Sequence, residues 1–244
     1  MAQRDGKIKI LIDTDIADDI DDAFALAFSL GSPEFDILGV TVVYGDVETR
    51  AKVALLTLGA MTNVATTISA DPGLAIQIKA VYSQAGGIPP LPPTHFDWNI
   101  CYDVVAAQTI ARCGVPWTTV GGVRGDNHPG RTEFDALESS GLPSAKVLLD
   151  LAVHMKRYKL GQDPSARTIK DVQSASICDL IVPAALLVPE PMKLERGEVD
   201  INDQGRPQYR PDPAGPHRWP TARLADGSFR GELLRRLLSA PGTP

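Results

Sequence analysis

Six of the ten residues at positions 13–22 are aspartate: Asp13, Asp15, Asp18, Asp19, Asp21 and Asp22. They directly follow residues 7–12 (KIKILI), a short, apolar, β-branched run of the kind that forms a buried strand. In open α/β sheets, binding sites form just beyond the carboxyl ends of strands. So many like charges in one tight loop repel one another. Either several point into solvent, or a hard cation neutralises them. Carboxylate oxygens suit Ca2+ or Mg2+, and no thiolate or imidazole lies close in sequence to favour zinc. A solvated loop that caps the next helix accounts for two of the six. It gives no reason for a DxD to abut the strand.

The rest of the chain alternates strand and helix. Residues 21–30 (DDAFALAFSL) read as a helix with a paired Asp at its start, and 37–44 (ILGVTVVY) as a second strand. Residues 53–58 read as a third strand, and Thr62-Asn63 opens a helix that stops near Asp71-Pro72. A weak strand is expected at 80–82 and an extended loop at 88–93 (IPPLPP). Helices are expected at 103–112, 143–158, 179–188 and 228–238, a strand at 115–120, and a hairpin with loops across 202–220. The pattern predicts a single α/β domain over 1–244 with a mostly parallel, Rossmann-like sheet flanked by helices.

Composition narrows the partners. Hydrophobic residues make up 43% of the chain, enough for a sizeable core. The net charge of -6 is the wrong sign for a nucleic-acid backbone binder. No apolar run approaches the ~20 residues that span a bilayer, so no membrane partner is expected. The three cysteines, Cys101, Cys113 and Cys178, form no CxxC pair and no even set. With no apolar leader at the N-terminus, this predicts a reduced, cytoplasmic protein without structural zinc.

Two chemistries begin with a DxD after the first strand. Phosphoryl transfer of the haloacid-dehalogenase kind also needs a later acidic GDxxxD-like element. Gly45-Asp46 is followed by VETR and Gly125-Asp126 by NHPG, so neither supplies it. The other chemistry is calcium-dependent N-glycoside hydrolysis. Here the residues are familiar: DTDIADDIDDAFAL resembles the N-terminal signature of the inosine-uridine-preferring nucleoside hydrolase family. Four later segments resemble further family motifs in order: GVTVVYGD (39–46), LTLGAMTNVA (56–65), FDWNICYDVVAA (96–107) and ICDLIVPAAL (177–186).

The resemblance implies a role at each matching position. Asp15 matches the aspartate that binds calcium and activates the attacking water, and Asp13 the one that orients its neighbours. Asp22 matches a calcium ligand, with Asp21 beside it. Two extra residues between DxD and DD leave Asp19 as a rival to Asp21. The Thr62 main-chain carbonyl and Asp179 match the remaining donors to Ca2+. Asp46 stands where the family has an asparagine near the sugar. Asp97, Trp98 and Asn99 stand where glutamate, phenylalanine and asparagine hold the ribose. Cys178 replaces the histidine of the best-known members, as in a cysteine-type subset. The resemblance also implies a nucleoside-like small-molecule substrate and a homodimer or homotetramer.

One departure concerns length. Asp46 precedes Thr62 by only 16 positions (62 − 46), where the family places a helix, a strand and a substrate loop. One βα unit is therefore expected to be missing. Two functions stay open: calcium-dependent hydrolysis of a nucleoside or related N-ribosyl compound, or a degenerate member. The latter binds calcium or a ribosyl ligand without turnover, or serves as a subunit of a larger complex.

Overall fold

The computed structural model describes residues 6–14, 20–42, 53–125, 127–158, 165–174, 177–225 and 227–239. In chain order the first elements are β1 (Ile8–Thr14), α1 (Asp21–Leu30), β2 (Phe35–Val42), β3 (Val53–Thr57), α2 (Thr62–Ala70) and β4 (Ile78–Ser83). Next come α3 (Trp98–Tyr102), α4 (Val104–Arg112), β5 (Trp117–Thr119), α5 (Arg131–Ser140), α6 (Pro143–Tyr158) and α7 (Ile181–Leu187). The chain closes with β6 (Leu194–Ile201), β7 (Pro207–Pro211), β8 (His217–Pro220) and α8 (Arg230–Leu237).

The eight strands form one sheet in the order β2-β1-β3-β4-β5-β8-β6-β7. The pairs from β2 through to β8 are parallel, and β6 pairs antiparallel with both β8 and β7. This is the mostly parallel α/β sheet expected from the alternation. Two compact units can be distinguished along the chain. One holds all eight strands with α2, α3, α4 and α7; the other holds α1, α5, α6 and α8.

The sheet unit owes its core to two amphipathic helices. Val64, Ala65 and Ile68 on α2, with Met61 just before it, and Ala106, Ala107, Ile110 and Ala111 on α4, recur at helical spacing. They close on Val81, Trp117, Val199, Ile201 and Trp219. Both tryptophans are fully buried. Helix α7 lies against β3 and β4. In the helical unit, α1 buries Phe24, Ala25 and Phe28, and Phe28 packs on Phe229 with ring centroids 5.9 Å apart. The guanidinium of Arg236 sits 5.1 Å above the Phe28 ring and is held by Glu232 at 2.6 Å. Gly31 backs directly onto the Arg236 carbonyl, leaving no room for a side chain.

Only residues 43–52 separate β2 from β3, which lie on either side of β1 and parallel to it. Such a crossover ordinarily takes a dozen or more residues, usually with a helix. These ten connecting residues lie outside the described residues.

Several elements differ from the sequence reading. The strand expected at 37–44 runs Phe35–Val42, with 43 and 44 outside the described residues. The helix expected at 103–112 is α4, and a further short helix, α3, not expected from the sequence, precedes it. Asp103 caps α4, its Oδ1 accepting the Ala106 N–H at 2.9 Å. Helix α5 was not expected, because Phe134 and Leu137 are its only large buried apolar residues. Strand β6 was not expected either: it alternates buried Gly197, Val199 and Ile201 with Arg196, Glu198 and Asp200, and its charges mask the pattern.

Candidate functional site

The sheet unit gathers polar groups at the carboxyl ends of β1, β3 and β4. Asp13, next to last in β1, is buried. Its Oδ1 accepts the Thr41 hydroxyl at 2.6 Å and the Asn63 amide at 3.0 Å. Thr41 comes from β2 and Asn63 from the first turn of α2, so the carboxylate is fixed from two sides. Asn63 was not singled out from sequence, although it stands inside the LTLGAMTNVA motif. Its neighbour Thr62 opens α2 and donates its hydroxyl to Asp103 at 2.7 Å.

Asn99 donates through Nδ2 to the carbonyls of Leu58, at 2.6 Å, and Gln84, at 2.7 Å. These residues directly follow β3 and β4, so one amide ties two strand ends together. Asp97 caps α3, its Oδ1 accepting the Ile100 N–H at 2.8 Å. Burial pushes its carboxyl up to about 6, against the pull of backbone N–H groups from Ile100, Gly86 and Asn99. Trp98 points the other way and is 68% exposed. It meets Phe96 edge-on at 5.0 Å and Tyr102 at 6.2 Å. The structure thus brings Asp97 and Asn99 to the strand ends and leaves Trp98 on the surface.

The helical unit carries the acidic cluster. Asp21 and Asp22 occupy the first turn of α1. With Asp179, each offers a carboxylate oxygen within 4.8 Å of the others. Asp22 and Asp179 are 2% and 6% exposed. Three carboxylates, two of them buried, at such separation form a strongly anionic spot whose all-oxygen donors fit a hard divalent cation. Cys178, partly buried, directly precedes Asp179. Asp15, Asp19 and Asp46 lie outside the described residues.

Tyr209 was missed by the sequence reading. Its phenol oxygen accepts the Gly87 N–H at 3.1 Å, and burial pushes the phenol up to about 12. It stands in the Pro-rich stretch 202–220, read as a hairpin with loops, where nothing local marks this tyrosine.

No helix among the described residues is long and apolar enough to cross a membrane. Fold and donors define an α/β protein with an all-oxygen carboxylate cluster and buried polar groups at its strand ends. The model described as inosine-uridine preferring nucleoside hydrolase matches residues 47–212, more than half of the chain. The chain belongs to that family and is a hydrolase of N-ribosyl compounds. The N-terminal aspartate signature lies before the matched residues.

Solved structures share the fold. A plant nucleoside hydrolase matches at TM-score 0.70 and 19% identity, covering 96% of this chain and 99% of its own. The purine-preferring ribonucleoside hydrolase from Gardnerella vaginalis matches at 0.75 and 15%, covering 94% and 98%. The type III effector protein XopQ, complexed with adenosine diphosphate ribose, matches at 0.65 and 12%, covering 98% and 95%. No curated protein matches the chain in sequence.

Proposed function

We propose that the chain hydrolyses the N-glycosidic bond of a nucleoside or related N-ribosyl compound, releasing base and ribose, and that it depends on calcium. The observation that carries this is the meeting of the Asp21, Asp22 and Asp179 carboxylates within 4.8 Å in a member of this family. Asp22, Asp179, Asp15 and the Thr62 carbonyl would hold the ion, with Asp21 beside them. Bound calcium supplies a positive centre that attracts sugar hydroxyls and acidifies a water.

The chain's own residues do the rest. Asp15 takes the proton of the attacking water. Asp13, held by Thr41 and Asn63, stands two residues away and keeps the end of β1 in a fixed arrangement. Asp97 and Asn99 hold the ribose, with Asp46 nearby and Trp98 at the rim. Carboxylates facing the sugar in a water-poor site stabilise the positive charge that develops as the bond breaks. Cys178 stands on the side of the leaving base, where it has no need to act as a nucleophile because water attacks directly. The active form is a homodimer or homotetramer, working on small molecules in the cytoplasm.

A second reading has its own support. XopQ was solved with adenosine diphosphate ribose, and the β2–β3 connection here is short. The first supports binding of a ribosyl ligand, which in this reading is not followed by turnover. Ribose release from a panel of purine and pyrimidine nucleosides, with and without a calcium chelator, separates the two. Chelator-sensitive release supports hydrolysis. Binding of calcium and D-ribose with no release from any nucleoside supports the second reading.

A further inference from the structure

Tyr209 lies on β7 and reaches the segment that follows β4. Its ring stacks on Trp219, with centroids 5.0 Å apart and planes at 28°. Trp219 is fully buried and lies on β8, so the stack fixes the direction of the phenol. The phenol oxygen accepts the Gly87 N–H at 3.1 Å. At Gly86, whose φ is +80, a Cβ would collide with the same oxygen. The two-glycine turn is therefore pressed against the phenol, and a side chain at Gly86 is excluded by conformation and by space alike.

The other side of that turn faces Asp97. The Asp97 carboxylate takes the Ile100 N–H at 2.8 Å, and the Gly86 and Asn99 backbone N–H groups favour its charged form. Asp97 and the phenol sense each other electrostatically, the carboxylate's charge helping to keep the phenol protonated. One pair of glycines is thus held by the phenol at Gly87 and felt by the carboxylate through Gly86. A shift of the turn moves the donor that orients the carboxylate.

The geometry points to Tyr209 as a positioning residue for the sugar-holding carboxylate: by bracing the Gly86–Gly87 turn it sets where Asp97 sits, and so how tightly the ribosyl group of a nucleoside is bound. The inference rests on the reading of Asp97 as a ribose contact. It concerns substrate binding more than the bond-breaking step, because Tyr209 acts through the turn and not on the reacting atoms.

Tyr209→Phe keeps the ring and its stack on Trp219 and removes only the oxygen. The test compares wild type, Tyr209→Phe, Asp97→Asn and the double variant, all with calcium. KM and kcat are measured on the nucleoside that wild type cleaves best, and the dissociation constant of D-ribose by titration calorimetry. For Tyr209→Phe we expect KM and the ribose dissociation constant to rise about five-fold, with kcat changed by less than about two-fold. Asp97→Asn should weaken binding at least as much, and the double variant no further than Asp97→Asn alone. Unchanged ribose affinity in Tyr209→Phe, or effects that multiply in the double variant, would overturn the inference while leaving Asp97 as a sugar contact. Unchanged KM and ribose affinity in Asp97→Asn would instead remove the sugar reading itself. Tyr209→Leu, which also loses the stack, provides the structural control: its melting temperature should fall well below that of Tyr209→Phe.

Discussion

Asp97 carries two opposing influences. Burial disfavours its charge, while three backbone N–H groups favour it, and burial wins, leaving the carboxyl near 6 against an ordinary 3.8. Between those values the folded chain holds a proton that the unfolded chain has released. Stability contributed by this group is therefore greatest below about pH 4 and is lost as pH rises towards 6. Asp97→Asn should remove that slope. Urea unfolding of wild type and variant from pH 4 to 7 checks it: the difference between the two curves should change steadily up to about pH 6 and then level off. A constant difference would contradict the assignment. Asp97 itself was legible only through the resemblance of FDWNICYDVVAA to a family motif, and the helix it caps was not expected. The dependence of Asp97 on Tyr209 was not legible, since the connecting Gly87–Tyr209 hydrogen bond joins residues 122 positions apart.

The elements show where local pattern suffices. Apolar alternation in β1 and the paired aspartates of α1 made both legible, because each element's own residues carry its signal. Strands β6 and β8 are defined by their neighbours instead. His217 of β8 shows how. It is buried, and its Nδ1 accepts the Trp117 N–H of β5 at 3.2 Å. Burial lowers its pKa below the ordinary value, with the Glu198 charge and the Ala111 carbonyl opposing. Accepting at Nδ1 and donating towards Ala111 requires the neutral ring. The unfolded chain takes up a proton near 6.5 that the folded chain refuses. The stability from this group is thus present above that pH and lost as pH falls below it. His217→Asn, which keeps an acceptor and cannot charge, should unfold less steeply with acid between about pH 6.5 and 5. Melting temperatures across that range test it, and identical acid profiles would show that the β5–β8 junction does not depend on the neutral ring.

At the scale of the whole molecule, the family, the α/β class and the acidic character of the site were legible because aspartates cluster in one short segment. The short β2–β3 link was legible from spacing alone. The way Thr41 and Asn63 hold Asp13, and the way Asn99 joins two strand ends, were not, because each depends on strand order. If calcium binds at the carboxylates, it must stabilise the fold by linkage, by about 2.7 kcal/mol at a free concentration 100 times the dissociation constant. Melting scans should show a calcium-dependent rise in wild type that Asp179→Asn largely loses. An equal rise in both would place the ion elsewhere.

The central claim, that these carboxylates drive hydrolysis of an N-ribosyl bond, is tested most directly by ribose release. Wild type and Asp15→Asn are compared on inosine and uridine at saturating calcium. Wild type should release ribose, and Asp15→Asn should be slower by about a hundred-fold or more, as expected for loss of a general base. Equal rates in the two proteins, or no ribose from a wild-type protein that still binds calcium and D-ribose, would contradict it.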